Sequence, residues 1–292
     1  MASFNVIIIG AGLSGALLAN GLFNNGVQVA IYERDDKETN REGYHIYLGS
    51  PALAGFKACL NSQQLDAVLG KLGRNSSKTM FTAPTVHDAQ FRKIIELVKV
   101  PFYAKSTPIN RSTLRRLLHE PLQKAGCAFY GHIFQSYEHF VDEYGCDKIR
   151  VQFTDGTTAT CDVLIGADGS ASRVNYQVGA RNLVPLPTKI SFLDKGRLPY
   201  SKLRELPEVL QKGPVFAFSK GIVLLFAVYL PPKSTSVSKD VIDKNQPVYE
   251  EEEASWYWSL TVDRDMIPFI QLSDIPQRRI FCQSLVKTWS PE

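Results

Sequence analysis

The stretch Val6–Leu22, VIIIGAGLSGALLANGL, admits three readings: a hydrophobic leader, a buried helix, or a phosphate-binding turn between a strand and a helix. A secretion leader carries a basic segment ahead of its apolar run and a small-residue cleavage site. No Lys or Arg precedes this run, and Gly10, Gly12 and Gly15 divide it. Phe4–Ile9 is rich in β-branched residues, which suits a strand buried on both faces. Leu13–Phe23 is rich in Ala and Leu, which suits a helix. Gly26 is a stop signal, and Val27–Tyr32 reads as a second buried strand. The result is a strand, a glycine turn, a helix and a strand, a βαβ unit.

The glycines follow the spacing Gly10-x-Gly12-x-x-Gly15. In such a turn the first allows the tight bend, the second lets backbone approach a pyrophosphate, and the third lets helix and strand pack closely. The helix N-terminus then offers unpaired N–H groups and the positive end of its dipole. Glu33 ends the second strand, at the distance where a carboxylate accepts hydrogen bonds from a ribose diol. This context predicts dinucleotide binding without separating NAD from FAD. Arg34 has two readings, a stack on an adenine face or plain solvation.

Composition narrows the alternatives. With 33 basic and 29 acidic residues the formal net charge is +4, and no basic block is present, so nucleic acid is not an expected partner. The acidic run Glu250–Glu253 reads as a solvated loop. The five cysteines, at 59, 127, 146, 161 and 282, form no CxxC pair and have no matching His, which argues against zinc and suits reduced thiols in a cytoplasmic protein. The five histidines are dispersed; His132 and His139 are the nearest pair, with no third ligand, and each reads as a surface or core residue. No apolar run has the length of a transmembrane segment; the longest, Ile222–Leu230, is strand length.

Further along, Gly43–Leu48 reads as a short strand, Pro51–Leu72 as a helix with Leu53, Phe56, Leu60 and Leu65 on one face, and Thr79–Val100 as strands. Pro108–Ala125 reads as a helix: Asn110 is a plausible N-cap, Leu114, Leu117, Leu118 and Leu122 recur at helical spacing, Pro121 bends or shortens it, and Gly126 stops it. Arg111 sits in its first turn, against the dipole; it is either solvated or placed there for a phosphate or flavin edge. Asp155-Gly156 between Ile149–Phe153 and Thr158–Asp162 signals a hairpin. Cys161–Gly166 reads as a buried strand that exits sharply at Asp168-Gly169 toward a helix within Ser170–Val178. That is a second candidate site of the first type, a carboxylate and a glycine at a strand's carboxyl end beside a helix N-terminus. From about Asn182 prolines recur, and Val215–Ser219, Ile222–Leu230 and Trp256–Val262 read as a mostly antiparallel sheet. Phe216, Phe218, Phe226, Tyr229, Trp256, Tyr257 and Trp258 either wall an apolar substrate cavity or are core.

Three motifs now stand in order: GAGLSG with its terminal Tyr32–Arg34, INRSTLRRLL (Ile109–Leu118), and CDVLIGADGSASRV (Cys161–Val174). Together they resemble the single-component, p-hydroxybenzoate-hydroxylase-like FAD-dependent monooxygenases, in particular their fungal biosynthetic branch. The resemblance implies an α/β fold, with a Rossmann-like FAD/NAD(P)-binding domain on a parallel central sheet (1–75 and 101–180) and a mostly antiparallel substrate domain (76–100 and 181–292). It implies that Gly10, Gly12 and Gly15 hold the FAD pyrophosphate, that Glu33 binds the adenosine ribose with Arg34 near the adenine, and that Arg111 reaches the flavin side. Asp168 then serves both FAD and the nicotinamide donor, NADPH or NADH.

Two departures from that family pattern stand out. Asn175 replaces an Arg of the third motif, a place Arg173 can take over. The family's later Gly-Asp motif is missing: the chain has no Gly-Asp dipeptide, and its last glycine is Gly221. The expectation is therefore a monooxygenase, whole or truncated, that uses FAD, NAD(P)H and O2 to hydroxylate or epoxidise an apolar or aromatic small molecule. A shortened relative without redox turnover and an NAD(P)-dependent reductase are the alternatives. No catalytic side chain is assigned.

Overall fold

The computed structural model describes residues 4–39, 44–73, 82–180, 184–233 and 249–289. The chain divides into two compact units: 1–43, 51–69 and 111–184 form the first, and 44–50, 70–110 and 185–292 the second. The second unit thus also takes in 44–50, 70–75 and 101–110. Gly43 and the expected boundary at 181–182 lie outside the described residues.

The first unit is built on a parallel sheet. Asn5–Ile9 lies at its centre, flanked by Val163–Gly166 on one side and Gln28–Glu33 on the other, with Ala128–Tyr130 beyond. Val6 to Ile9 are at most 4% exposed, as a doubly covered strand requires. Each such side chain stabilises the fold by roughly 1.5–3 kcal/mol. The helix Leu13–Asn24 follows and buries Ala16 and Ala19 completely. Its Asn20 is also fully buried, and its amide donates to the carbonyls of Ala16 (2.7 Å) and Leu118 (2.8 Å) while its oxygen accepts from Gln64 (3.0 Å). This one side chain ties three helices together without leaving a polar atom unmet. Phe134–Val141, Asp147–Phe153 and Thr158–Cys161 form an antiparallel meander, and the Asp-Gly hairpin stands where the sequence predicts it.

Two expected elements differ. Pro51–Leu72 is not one helix but two, Ser50–Cys59 and Ser62–Leu69. Asn61 breaks it: its side chain accepts from the Gln64 N–H (2.9 Å), and the Gln64 side chain accepts from the Asn61 N–H (3.0 Å), a reciprocal capping box. Pro108–Asn110 is not helical. Thr107–Asn110 is a strand paired antiparallel with His45–Leu48, and the helix begins at Arg111. That helix continues through Pro121 to Lys124, because the buried stripe Leu114, Leu118 and Leu122 holds it in place.

The second unit carries a six-stranded mixed sheet in the order Lys189–Arg197, Ser255–Asp263, Ile222–Tyr229, Val215–Ser219, Thr85–Asp88, Lys93–Glu96. All its pairs are antiparallel except Val215–Ser219 with Thr85–Asp88. The terminal helix Arg278–Leu285 buries Cys282 in a cluster with Ala217, Leu260 and Val262 of this sheet. Among the described residues no helix is long and apolar enough to cross a membrane.

Candidate cofactor site

The three glycines of the first turn occupy different environments. Gly10 has φ +99°, a conformation that favours glycine. A Cβ there would lie 2.5 Å from the Ala167 carbonyl oxygen and 2.7 Å from the Asp168 Cα, so two strand exits meet at this residue. A Cβ on Gly15 would collide with the Gly10 carbonyl oxygen, which is the close helix–strand approach the motif needs. Gly12 is different. Its backbone is ordinary (φ −66°, ψ −179°), and a Cβ would meet nothing within 4 Å. The space it leaves lies before the first turn of Leu13–Asn24, which has no side-chain cap and no acidic residue. The helix's orphan N–H groups and positive dipole end are therefore available to an anion. A pyrophosphate fits this cradle, and an alanine methyl at Gly12 would intrude on it.

Ala11, 2% exposed, is held through both of its backbone groups. Its N–H donates to Glu33 Oε2 (2.8 Å), and the other Glu33 oxygen accepts from the Asp35 N–H (3.1 Å). Glu33 is 8% exposed and braces the turn directly. The Ala11 carbonyl meets His119 Nε2 at 2.6 Å, and His119 Nδ1 meets the Tyr130 hydroxyl at 2.9 Å. Burial pushes His119 below the ordinary histidine range, outweighing the hydrogen bond to Ala11 and the Glu33 charge. Sequence reasoning missed His119. Its signal is its place beside the Leu114–Leu118–Leu122 stripe, which buries a histidine that composition alone reads as dispersed.

The second turn, after Val163–Gly166, uses its own carboxylate. Asp168 Oδ1 accepts from the Ser172 hydroxyl (2.5 Å), and Oδ2 from the Arg173 N–H (2.8 Å) and the Val174 N–H (3.4 Å). Ser172 Oγ in turn accepts from the Asn175 N–H (2.9 Å). The short helix Arg173–Val178 is thus capped from within. Arg173 donates to the Phe134 carbonyl (3.0 Å), which ties this helix to the meander. Arg34 is exposed one residue beyond Glu33. Arg111 is half-buried at the first position of its helix, the same helix that supplies His119.

The aromatic strands of the second unit separate by face. Cross-strand register puts Val215, Phe226 and Trp258 in one row and Ala217, Leu224 and Leu260 in the next. These rows and the terminal helix enclose a cavity of about 240 Å³. Of the seven aromatics singled out from the sequence, only Phe226 and Trp258 line it. Phe216 and Phe218 stack on each other on the opposite face (6.0 Å), where Phe218 is 44% exposed. Tyr229 and Tyr257 are buried and pack on the ring of His45. Among the described residues no cluster of three or more His, Cys, Asp or Glu side chains is placed to hold a metal ion.

A strand-linked glycine turn with an open helix N-terminus and a buried acid closing the next strand defines a dinucleotide-binding domain, and residues 3–46 match the FAD-binding-domain family model. The chain is 26% identical over 274 residues to the FAD-dependent monooxygenase dbaB of Emericella nidulans, covering 90% of this chain and 64% of that protein. It is 32% identical over 185 residues to the FAD-dependent monooxygenase SAT7 of Stachybotrys chartarum, covering 60% of this chain and 38% of that one. It therefore spans less than two thirds of these relatives. The fold matches Klebsiella pneumoniae HpxO, solved with FAD and uric acid, with a TM-score of 0.70 at 17% identity, covering 99% of this chain and 63% of that one. The chain is thus similar to FAD-dependent monooxygenases, fungal ones among them, and its N-terminal residues 3–46 match an FAD-binding domain.

Proposed function

We propose that the first unit binds FAD by its adenosine and pyrophosphate half, and that the protein serves an NAD(P)H-consuming monooxygenation of an apolar or aromatic small molecule. The observation that carries this reading is the uncapped helix N-terminus facing the open space at Gly12. In this reading Gly10 and Gly15 shape the turn, and the amides from Gly12 onward hold the pyrophosphate. Glu33, already fixed to Ala11, takes the ribose with its remaining acceptor capacity, since a carboxylate offers about four lone-pair sites. Arg34 lies toward the adenine and Arg111 toward the flavin. Asp168 acts through its turn, whose backbone abuts Gly10, because both its oxygens are already occupied.

Bound FAD would supply the redox chemistry and the activation of dioxygen. The protein's own part is to bind, orient and keep the turn rigid, and the aromatic sheet of the second unit adds apolar surface for a substrate. The test is a visible spectrum of the purified protein after FAD titration, followed by NADPH and NADH oxidation assays with apolar aromatic compounds. A flavin doublet and substrate-stimulated oxidation are expected. Folded protein that stays colourless in excess FAD contradicts the assignment.

A further inference from the structure

The side of the glycine turn away from the open space is gripped by a chain of neutral side chains. A carbonyl only accepts, so the 2.6 Å contact with Ala11 O puts the imidazole proton on Nε2. A neutral imidazole then presents a bare Nδ1, so the Tyr130 hydroxyl, 2.9 Å away, donates to it. The Tyr130 oxygen in turn accepts from Gln123 Nε2–H at 2.9 Å. Every link has one direction: Gln123 to Tyr130, Tyr130 to His119, His119 to Ala11. Gln123 and His119 both come from the helix Arg111–Lys124, four residues apart on neighbouring turns.

We propose that His119 is a positioning residue for FAD: as the neutral Nε2–H tautomer it fixes the Ala11 carbonyl, so that the next amides, Gly12, Leu13 and Ser14, already point at the pyrophosphate before it binds. Glu33 and His119 hold the two sides of Ala11, and Gly12 follows immediately. Ala11 is almost completely buried, so its carbonyl has no water to turn to when the imidazole is removed. The turn must then move to satisfy that oxygen, and the order lost has to be restored on binding. The charged groups around the imidazole are Arg115 on its own helix, which opposes protonation, and Glu33 across the turn, which favours it. Burial decides between them and keeps the ring neutral. This inference rests on the reading that the turn takes FAD.

The test compares His119→Leu, which keeps bulk without a donor, with His119→Gln, whose amide N–H can still reach Ala11. Each is measured by thermal unfolding and by calorimetric titration with FAD and, separately, with ADP-ribose. His119→Leu is expected to bind both ligands about tenfold more weakly, and His119→Gln within about twofold of the wild type. Nitrogen NMR of the wild type is expected to show His119 protonated at Nε2. Folded His119→Leu with wild-type affinity, or an Nδ1–H tautomer, overturns the proposal. If His119→Leu does not fold, Tyr130→Phe replaces it: losing the hydroxyl that anchors Nδ1 is expected to weaken FAD about threefold, and unchanged affinity overturns the proposal. If the wild type binds neither ligand, the FAD reading falls, while the NMR tautomer still decides the relay.

Discussion

Two turns in the first unit begin alike and end differently. Both leave the carboxyl end of a parallel strand, both contain glycine, and both run into the N-terminus of a helix. At Gly10–Gly15 the helix has no cap, its first turn has no acid, and the space before it is open. At Asp168–Ser172 the helix is filled by its own aspartate and serine. The physical difference is where the acid sits. Glu33 stands on another strand and grips the turn through Ala11, which leaves the helix amides free. Asp168 stands in the turn itself and consumes the amides it faces. A strand–glycine–helix pattern therefore marks an anion site only where the capping acid comes from elsewhere.

The strongest test of this contrast is at the point where the turns touch. Gly10→Ala forces a side chain into left-handed backbone and against Ala167, and is expected to destabilise the protein by about 3 kcal/mol in urea denaturation. A loss below about 0.5 kcal/mol, the scale of an ordinary surface change, means the two exits do not meet. Asp168→Ala uncaps the second helix and is expected to cost about 1–2 kcal/mol of stability. If it abolishes FAD binding while stability is unchanged, the second turn is a ligand site and the contrast fails.

Acid probes the first turn as well. His119 and His45 are both held below the ordinary value of 6.5 by burial, His45 at about 3. As pH falls below 6.5 the unfolded chain takes up protons that the folded one refuses, so stability declines with falling pH until the folded values are reached. A loss of up to about 1 kcal/mol per histidine is expected over the first pH unit, and His119→Gln should flatten part of that slope and leave the His45 part. An unchanged slope means His119 is not neutral in the fold. The smallest effect is expected at Arg34. It is exposed, so Arg34→Ala should leave stability within about 0.5 kcal/mol and weaken FAD only about threefold.

What was legible in the sequence was local and periodic. Val6–Leu22, the Asp155-Gly156 hairpin and the aromatic strands announce themselves by spacing and turn chemistry. What was not legible depends on partners distant in the chain. Thr107–Asn110 is a strand because His45–Leu48 pairs with it, against the helical signal that follows. The glycine spacing identified the turn, but the free amides at Gly12 and the spent carboxylate at Asp168 follow from side-chain directions that residue types do not encode. His119 was invisible as a site residue because its partner, Ala11, is 108 residues away.

Gly12→Ala separates binding from folding most cleanly. Its Cβ meets no protein atom within 4 Å and its φ is ordinary, so calorimetry should find stability within about 0.5 kcal/mol of the wild type. FAD titration of the same protein should show affinity reduced at least about tenfold, because the methyl occupies the space assigned to the pyrophosphate. A stable Gly12→Ala protein that binds FAD as tightly as the wild type would contradict the assignment of this turn as the cofactor site.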